Sequence, residues 1–235
     1  MIVIVEAVRT AMGGFQGSLS SCTAPDLGAV AIKEAVARAG LTANDIDEVI
    51  MGCVLPAGLK QGPARQAMRQ AGLPDSTGAT TINKICGSGM KAVMQAADAI
   101  KAGSAEIVIA GGMESMSNAP YLMDKARAGF RMGHGKVTDH MFQEGLEDAE
   151  TGLSMGILAQ EMADKKGYTR EQQDDYAIGS LNKAVTAVQQ GFFKDEIVAV
   201  TVSNRKGDVV VEQDEQPLNA KADKIPSLRP AFKKD

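Results

Sequence analysis

Apolar and polar positions in the first half of the chain switch repeatedly between two periods. Ile2–Val8 (IVIVEAV) is apolar nearly throughout. Ile46–Leu55 (IDEVIMGCVL) and Thr77–Asn83 also read as strands, and Glu106–Ala110 (EIVIA) is a nearly all-apolar one, as expected of a sheet covered on both faces. Helix-period stretches lie between them. One runs from Pro25 to about Ala39, with Pro25 suited to a first turn and Gly40 to a C-terminal cap. Pro63–Ala71 is a shorter one closed by Gly72. The third covers about Gly87–Ala102. It puts Met90, Val93, Met94, Ala97 and Ile100 on one face and Lys91, Gln95, Asp98 and Lys101 on the other, so the first set is expected to face a core. Strands alternating with helices predict a layered α/β sheet with right-handed crossovers.

The second half loses this rhythm. From about Ser115 to Thr151 the chain is rich in Met, Gly and charge without a clear period. That is too long for a simple connection and reads as a functional excursion. Two helices follow. The first covers about Met155–Lys166. The second starts at Thr169, where Thr169 and Gln172 can form a capping box, and runs to about Gln190. Ile197–Val202 and Val209–Glu212 flank SNRKGD as a hairpin. The tail carries Pro217, Pro226 and Pro230 and stops at FKKD with no closing strand or helix, which reads as a cut.

Composition narrows the function classes. The 235 residues, 44% hydrophobic and 23% charged, suit one or two ordinary globular domains. A net charge of -4 gives no electrostatic case for nucleic acid or an anionic membrane. With no Trp, a stacking platform for bases is not expected either. The apolar start carries Glu6 and has no basic leader, and no run is long enough to span a bilayer. Cys22, Cys53 and Cys86 make an odd set without paired spacing, which fits a reducing cytoplasm. No metal-ligand spacing occurs around His134 and His140, which are expected at the surface or in an oligomer contact.

The candidate chemistry lies in NKICGSGMKAV, residues 83–93, where Cys86 stands between a strand and a helix. Unpaired N–H groups and the helix dipole at such a start favour thiolate over thiol. A free cysteine is only about 3% thiolate at pH 7, and a pKa near ~7 would make it about half. Gly87 and Gly89 would admit close approach of a substrate, and the N–H of Cys86 could face a developing oxyanion. The same residues also fit a small side chain packed behind a helix, and on these grounds alone the two readings are balanced. Asn83 could steady the loop through its side chain or simply serve the turn.

Longer stretches tip that balance. NKICGSGMKAV followed by IVIAGGMESMSNAPYL resembles the N-terminal half of the thiolase family. So do VEAVRTAMGGFQGSL, IMGCVLPAGLKQGPARQA, TREQQDDYAIGS and RPAFKKD, so the resemblance covers nearly the whole chain. It implies a layered α/β/α thiolase-like core over residues 1–117 and an inserted α+β loop domain over residues 118–235 that covers coenzyme A and mediates oligomer contacts. It implies that Cys86 carries an acyl group as a thioester, so that acetyl passes between coenzyme A thioesters and two acetyl-CoA give acetoacetyl-CoA and CoA, reversibly. Coenzyme A is then substrate and product, with no cofactor and no metal, in a cytoplasmic dimer or tetramer. Leu146 and Met155 match positions lining the pantetheine arm, although both would also serve as loop-domain core. Ser154 stands where many acetoacetyl-CoA thiolases carry a histidine, which would leave room for a longer acyl group. Arg205–Lys206 could meet a CoA phosphate or form a solvated hairpin tip.

The family's Gly-His-Pro motif and second catalytic cysteine are absent from this sequence. The rivals to an acetyl-CoA acetyltransferase are therefore a longer-chain 3-ketoacyl-CoA thiolase, a ketoacyl synthase, which CGSGMKAV disfavours, and a catalytically incomplete assembly module. No strand–GxGxxG–helix fingerprint or Walker pattern supports a nucleotide site.

Overall fold

The computed structural model describes residues 1–205 and 207–234. The first half runs β1 (Arg9–Thr10), α1 (Ala24–Arg38), β2 (Glu48–Gly52), α2 (Pro63–Gln70), β3 (Gly78–Ile82), α3 (Ser88–Ala102) and β4 (Val108–Gly112). The expected α/β alternation is present, with most boundaries within two residues of those read from the sequence. β2 is central in a parallel sheet of order β3–β2–β4. Gly52, its last paired residue, stands opposite Ile82 on one side and Gly112 on the other.

Side chains leave β2 alternately, and each face has its own partner layer. Val49, Met51 and Cys53 join Ile32 of α1 and Ala64, Ala67 and Met68 of α2 in the main core. Fully burying a side chain such as Val49 or Met68 contributes about 1.5–3 kcal/mol. Ile50 points the other way, onto Ala92 and Ala96 of α3. The result is a sheet with α1 and α2 on one face and α3 on the other. Thr23 opens α1 with a capping box: its hydroxyl accepts from the Asp26 N–H, and Asp26 accepts from the Thr23 N–H at 2.9 Å.

α3 is turned opposite to the sequence expectation. Its buried side is Ser88, Ala92 and Ala96, while Met90 is 74% and Met94 54% exposed. Size explains the reversal. The first turn of α3 lies so close to the strand ends that only small residues fit between helix and sheet, and hydrophobic periodicity does not register size. A second difference is at the start of the chain. Residues 2–8 form no strand, and Ile2–Val5 are exposed. Backbone pairing begins only at β1, which runs parallel to β7 (Ile197–Val198).

The second half contributes β5 (Tyr121–Met123), β6 (Val137–Asp139), a π-helical turn (Met141–Leu146), α4 (Met155–Lys166) and α5 (Arg170–Gln189). β5 and β6 pair antiparallel. The Thr169–Gln172 capping box opens α5 as expected. After β7 come β8 (Val200–Asn204) and β9 (Gly207–Val211), the expected hairpin. Val200, Val202 and Val211 pack with Ala11 and Leu19, so the hairpin docks against the beginning of the chain. The tail contains α6 (Glu215–Asn219) and a 3-10 stretch (Ala222–Ser227), where no helix was expected. Pro217 is tolerated in α6 because it lies in the first turn, whose N–H groups have no intrahelical partner.

One ion-pair cluster ties the two ends of this unit together. Arg9 donates to both carboxylate oxygens of Asp214, at 2.7 and 2.9 Å, and to Glu196 at 2.5 Å, with its guanidinium 5.1 Å from the Phe193 ring centroid. Asp214 is 2% exposed and also accepts from the Met12 N–H. Burial alone would raise the Asp214 pKa. The Arg9 and Met12 hydrogen bonds and the Arg9 charge outweigh it and hold the carboxyl below its ordinary range.

Candidate active site

Four glycines set where α3 begins. A Cβ on Gly52 would lie 2.6 Å from the Cβ and 2.8 Å from the carbonyl carbon of Ser88. A Cβ on Gly112 would lie 3.4 Å from the Cα of Gly89. With Gly111 also bare, the first turn of α3 sits directly on the carboxyl ends of β2 and β4, the edge where open parallel sheets bind ligands.

β3 reaches that helix through a tight elbow. Ile85 has φ +48°, a left-handed conformation that a β-branched residue adopts at a cost of about 1–3 kcal/mol. Its neighbours hold it there. Asn83 Oδ1 accepts from the Ile85 N–H at 2.9 Å, and Asn83 Nδ2 donates to the Val54 carbonyl at 3.3 Å. Ser88 Oγ accepts from the Lys84 N–H at 2.8 Å and donates to the Ile85 carbonyl at 2.6 Å. The Gly87 and Ser88 N–H groups close the turn onto Lys84 and Ile85. Asn83 thus steadies the loop through its side chain. The product of these bonds is an exposed Cys86, two residues before the first residue of α3.

Cys86 opens onto a largely apolar cleft of about 400 Å³. Its walls include Val54 and Leu55 after β2, Met113 and Met116 after β4, Ile85, and Leu146 from the π-turn. The acid in the lining is Glu114, which acts as a strut. It accepts from the Val54 N–H at 2.7 Å and the Leu55 N–H at 3.0 Å, and Cys53 Sγ lies 3.6 Å away. A second groove, about 330 Å³, lies between the β8–β9 hairpin and α6, but its Glu215 is already committed to the N–H groups of Gly14 and Ser18.

The other thiols are poorly placed to react. Cys53 is 1% exposed, and burial first, then the Glu114 charge and hydrogen bond, push its pKa up to about 12. Cys22 is half-buried, and desolvation raises its pKa despite a lowering hydrogen bond from Ser21.

Of the residues singled out in the sequence, Cys86 and Leu146 meet in the cleft. Ser154 and Met155 are not among its lining residues. Ser154 is the N-cap of α4, its hydroxyl accepting from the Ile157 N–H, and Met155 begins that helix at the surface. Both are linked to the π-turn through a Glu147–Ser154 bridge. His134 is exposed as expected, but His140 is not a surface residue: it is 1% exposed, enclosed beneath the π-turn. Of the basic pair Arg205–Lys206, Lys206 lies outside the described residues. Sequence reasoning missed Ser88, Glu114 and His140. The serine hid inside a glycine-rich motif, the glutamate just past a strand end, and the histidine gave no signal. Among the described residues no group of three His, Cys, Asp or Glu side chains is placed to hold a metal, and no helix is long and apolar enough to cross a membrane.

A parallel α/β layer thus presents an exposed cysteine on a strained strand-to-helix elbow, at the mouth of an apolar cleft, which defines the chain as an α/β domain with its thiol at the strand ends. The chain matches the family described as "Thiolase, N-terminal domain" over residues 2–235, and it belongs to that family. It is 50% identical to an acetyl-CoA acetyltransferase of Pseudomonas aeruginosa, an alignment covering 100% of this chain and 60% of that protein. It is 52% identical to one of Escherichia coli, covering 99% and 59%. The crystal structure of the Acat5 thiolase from Ascaris suum in complex with coenzyme A superposes with a TM-score of 0.92 at 41% identity, covering 99% of this chain and 59% of that one. The chain thus spans about 60% of the length of the curated relatives it matches.

Proposed function

We propose that this chain carries the acyl-accepting half of an acetyl-CoA C-acetyltransferase and that Cys86 is its nucleophile. The observation that carries the reading is the exposed Cys86, held on an over-determined elbow beside an apolar cleft. Relatives of about 50% identity named acetyl-CoA acetyltransferase, and a solved relative holding coenzyme A, support the choice of substrate. In the proposed step Sγ of Cys86 attacks the acetyl carbonyl carbon. A new C–S bond forms, the C–S bond to coenzyme A breaks, and coenzyme A leaves as its thiol with the proton lost by Cys86. Leu146 would flank the pantetheine arm inside the cleft, while Ser154 and Met155 would act from the start of α4, beyond the π-turn. Coenzyme A is substrate and product. The complete enzyme is read as a cytoplasmic dimer or tetramer, a setting that suits three unpaired thiols.

Among the described residues no histidine lines the cleft, and Glu114 is tied to backbone N–H groups, so none of them stands beside Cys86 as a base for repeated turnover. The expected result is one acetyl group per chain on incubation with acetyl-CoA, found on the Cys86 peptide by mass spectrometry and absent in Cys86→Ala. Steady-state cleavage of acetoacetyl-CoA by the 235-residue chain should be lower than that of a full-length relative by several orders of magnitude, roughly 10³-fold or more. Acetyl found equally on Cys22, or none on Cys86, sinks the assignment.

A further inference from the structure

His140 is a buried titratable group beside the cleft that the proposed chemistry leaves unused. Its ring lies between the segment that follows β2 and the π-turn. Nε2 accepts from the Ala57 N–H at 3.4 Å, two residues past Leu55. An amide N–H can only donate, so Nε2 is the acceptor and Nδ1 carries the ring proton in the neutral imidazole. Among the described residues Nδ1 has no hydrogen-bond partner; it stands 3.6 Å from Glu144 Oε2, inside the π-turn that carries Gly145 and Leu146. The backbone N–H of His140 is fixed to the Pro120 carbonyl, at the head of β5. The turn itself rests on the opposite wall: a Cβ on Gly145 would lie 3.5 Å from Leu55 Cδ2. Leu55 and Leu146 both line the cleft beside Cys86. π-Turns recur at functional sites, and this one has the buried His140 ring beneath it, with Asp139 Oδ1 accepting from the Met141 N–H at 2.9 Å.

We propose that His140 is a positioning residue that sets the gap between the Leu55 and Leu146 walls, and thereby admits an apolar arm on its way to Cys86. The inference rests on Cys86 as the reactive group of the proposed function. It does not require that the arm belong to coenzyme A. His140 touches neither the arm nor the sulfur, so its effect should be on selectivity between long and short reagents and not on the intrinsic reactivity of the thiol.

The test compares alkylation of Cys86 in the 235-residue chain by N-hexyl iodoacetamide and by iodoacetamide. In each case an S–C bond forms, iodide leaves and the thiol proton goes to solvent. His140→Leu removes the acceptor for Ala57, whereas His140→Gln can keep it. The ratio of long-arm to short-arm rate should fall about fivefold or more in His140→Leu, with the iodoacetamide rate within about twofold of wild type. In His140→Gln the ratio should stay within about twofold. An unchanged ratio in His140→Leu overturns the proposal, and so does an equal fall in His140→Gln, which would assign the effect to ring shape alone. Hydrogen exchange of the Ala57 amide in the wild-type chain decides the matter if His140→Leu does not fold: protection supports the link, and exchange at the rate of a free amide overturns it. Failure of acetyl-CoA to label Cys86 would refute the proposed function while leaving the alkylation comparison intact.

Discussion

Cys53 leaves β2 one residue past its last paired position, and Cys86 leaves β3 four residues past its own. The strands are neighbours in one sheet, yet the thiols meet opposite surroundings. Cys53 is packed into the main core with the Glu114 carboxylate beside it. Cys86 is lifted to the rim by an elbow whose bonds come from Asn83 and Ser88. The extra three residues separate the two cases. They give the chain room to turn outward before α3, at the cost of one left-handed Ile85. A cysteine near a strand end is therefore no signature by itself; the path of the backbone between strand and helix decides whether sulfur meets solvent or core.

The contrast can be broken most directly by labelling. A thiol with pKa near about 12 is about one part in 10⁵ thiolate at pH 7, against about 3% for an ordinary cysteine. Limiting iodoacetamide at neutral pH should therefore modify the exposed Cys86 while Cys53, buried and holding its proton, stays unlabelled in folded protein, with Cys22 behind Cys86. Peptide mapping that finds Cys53 labelled at a comparable rate in folded protein would erase the distinction.

Next in size is Gly52→Ala, which strikes the ground both junctions share. The added Cβ would press on backbone atoms of Ser88, and these cannot swing aside as a side-chain tip could. Overpacking of this kind costs about 1–3 kcal/mol. The denaturation midpoint should drop accordingly, and the Cys86 labelling rate should change with it because the Ser88 bonds to the elbow are disturbed. Unaltered stability and labelling would mean that α3 does not rest on the strand end.

The smallest effect, taken per pH unit, is a slope. An unfolded cysteine ionises near ~8.5, whereas folded Cys53 holds its proton up to about 12. Between those values the unfolded state has lost a proton that the folded state keeps. Native stability then falls as pH rises, by up to about 1.4 kcal/mol per pH unit from this group. Denaturant titrations of wild type and Cys53→Ala across that alkaline window should diverge, the variant having the shallower decline. Parallel curves would place Cys53 in a less protective environment than the core described above.

Much of this arrangement was legible in the order of residues, because it follows from local rules. The alternation of strands and helices, the caps at Thr169 and Gly40, and a cysteine between β3 and α3 are written in short windows. The orientation of α3 was not. Met90, Val93 and Met94 outscore Ser88, Ala92 and Ala96 in hydrophobicity, but the close approach of Gly52 and Ser88 favours the small side chains against the sheet. Residues 2–8 read as a strand by composition, but a strand also needs a neighbour for its N–H and C=O groups, and sequence pattern alone does not supply one. The resemblance puts Ser154 near the acyl group, and the structure adds that its hydroxyl caps the start of α4. The burial of His140 and the strut role of Glu114 are not written in short windows, since their partners, Ala57 and Leu55, are 83 and 59 residues away in the chain.

The hydroxyl of Ser88 belongs simultaneously to the first turn of α3 and to the elbow behind it. That double membership makes presentation of the cysteine a matter of timing. Until the helix start has docked on the strand ends, Ser88 cannot brace the elbow and only Asn83 is left to bond the Ile85 N–H, so the sulfur is one flexible side chain among many. Once it docks, the geometry arrives whole. A nascent or heat-softened copy of the chain would thus carry the cysteine without its setting, so the way Cys86 reacts serves as a built-in report on whether the surrounding layer has finished folding.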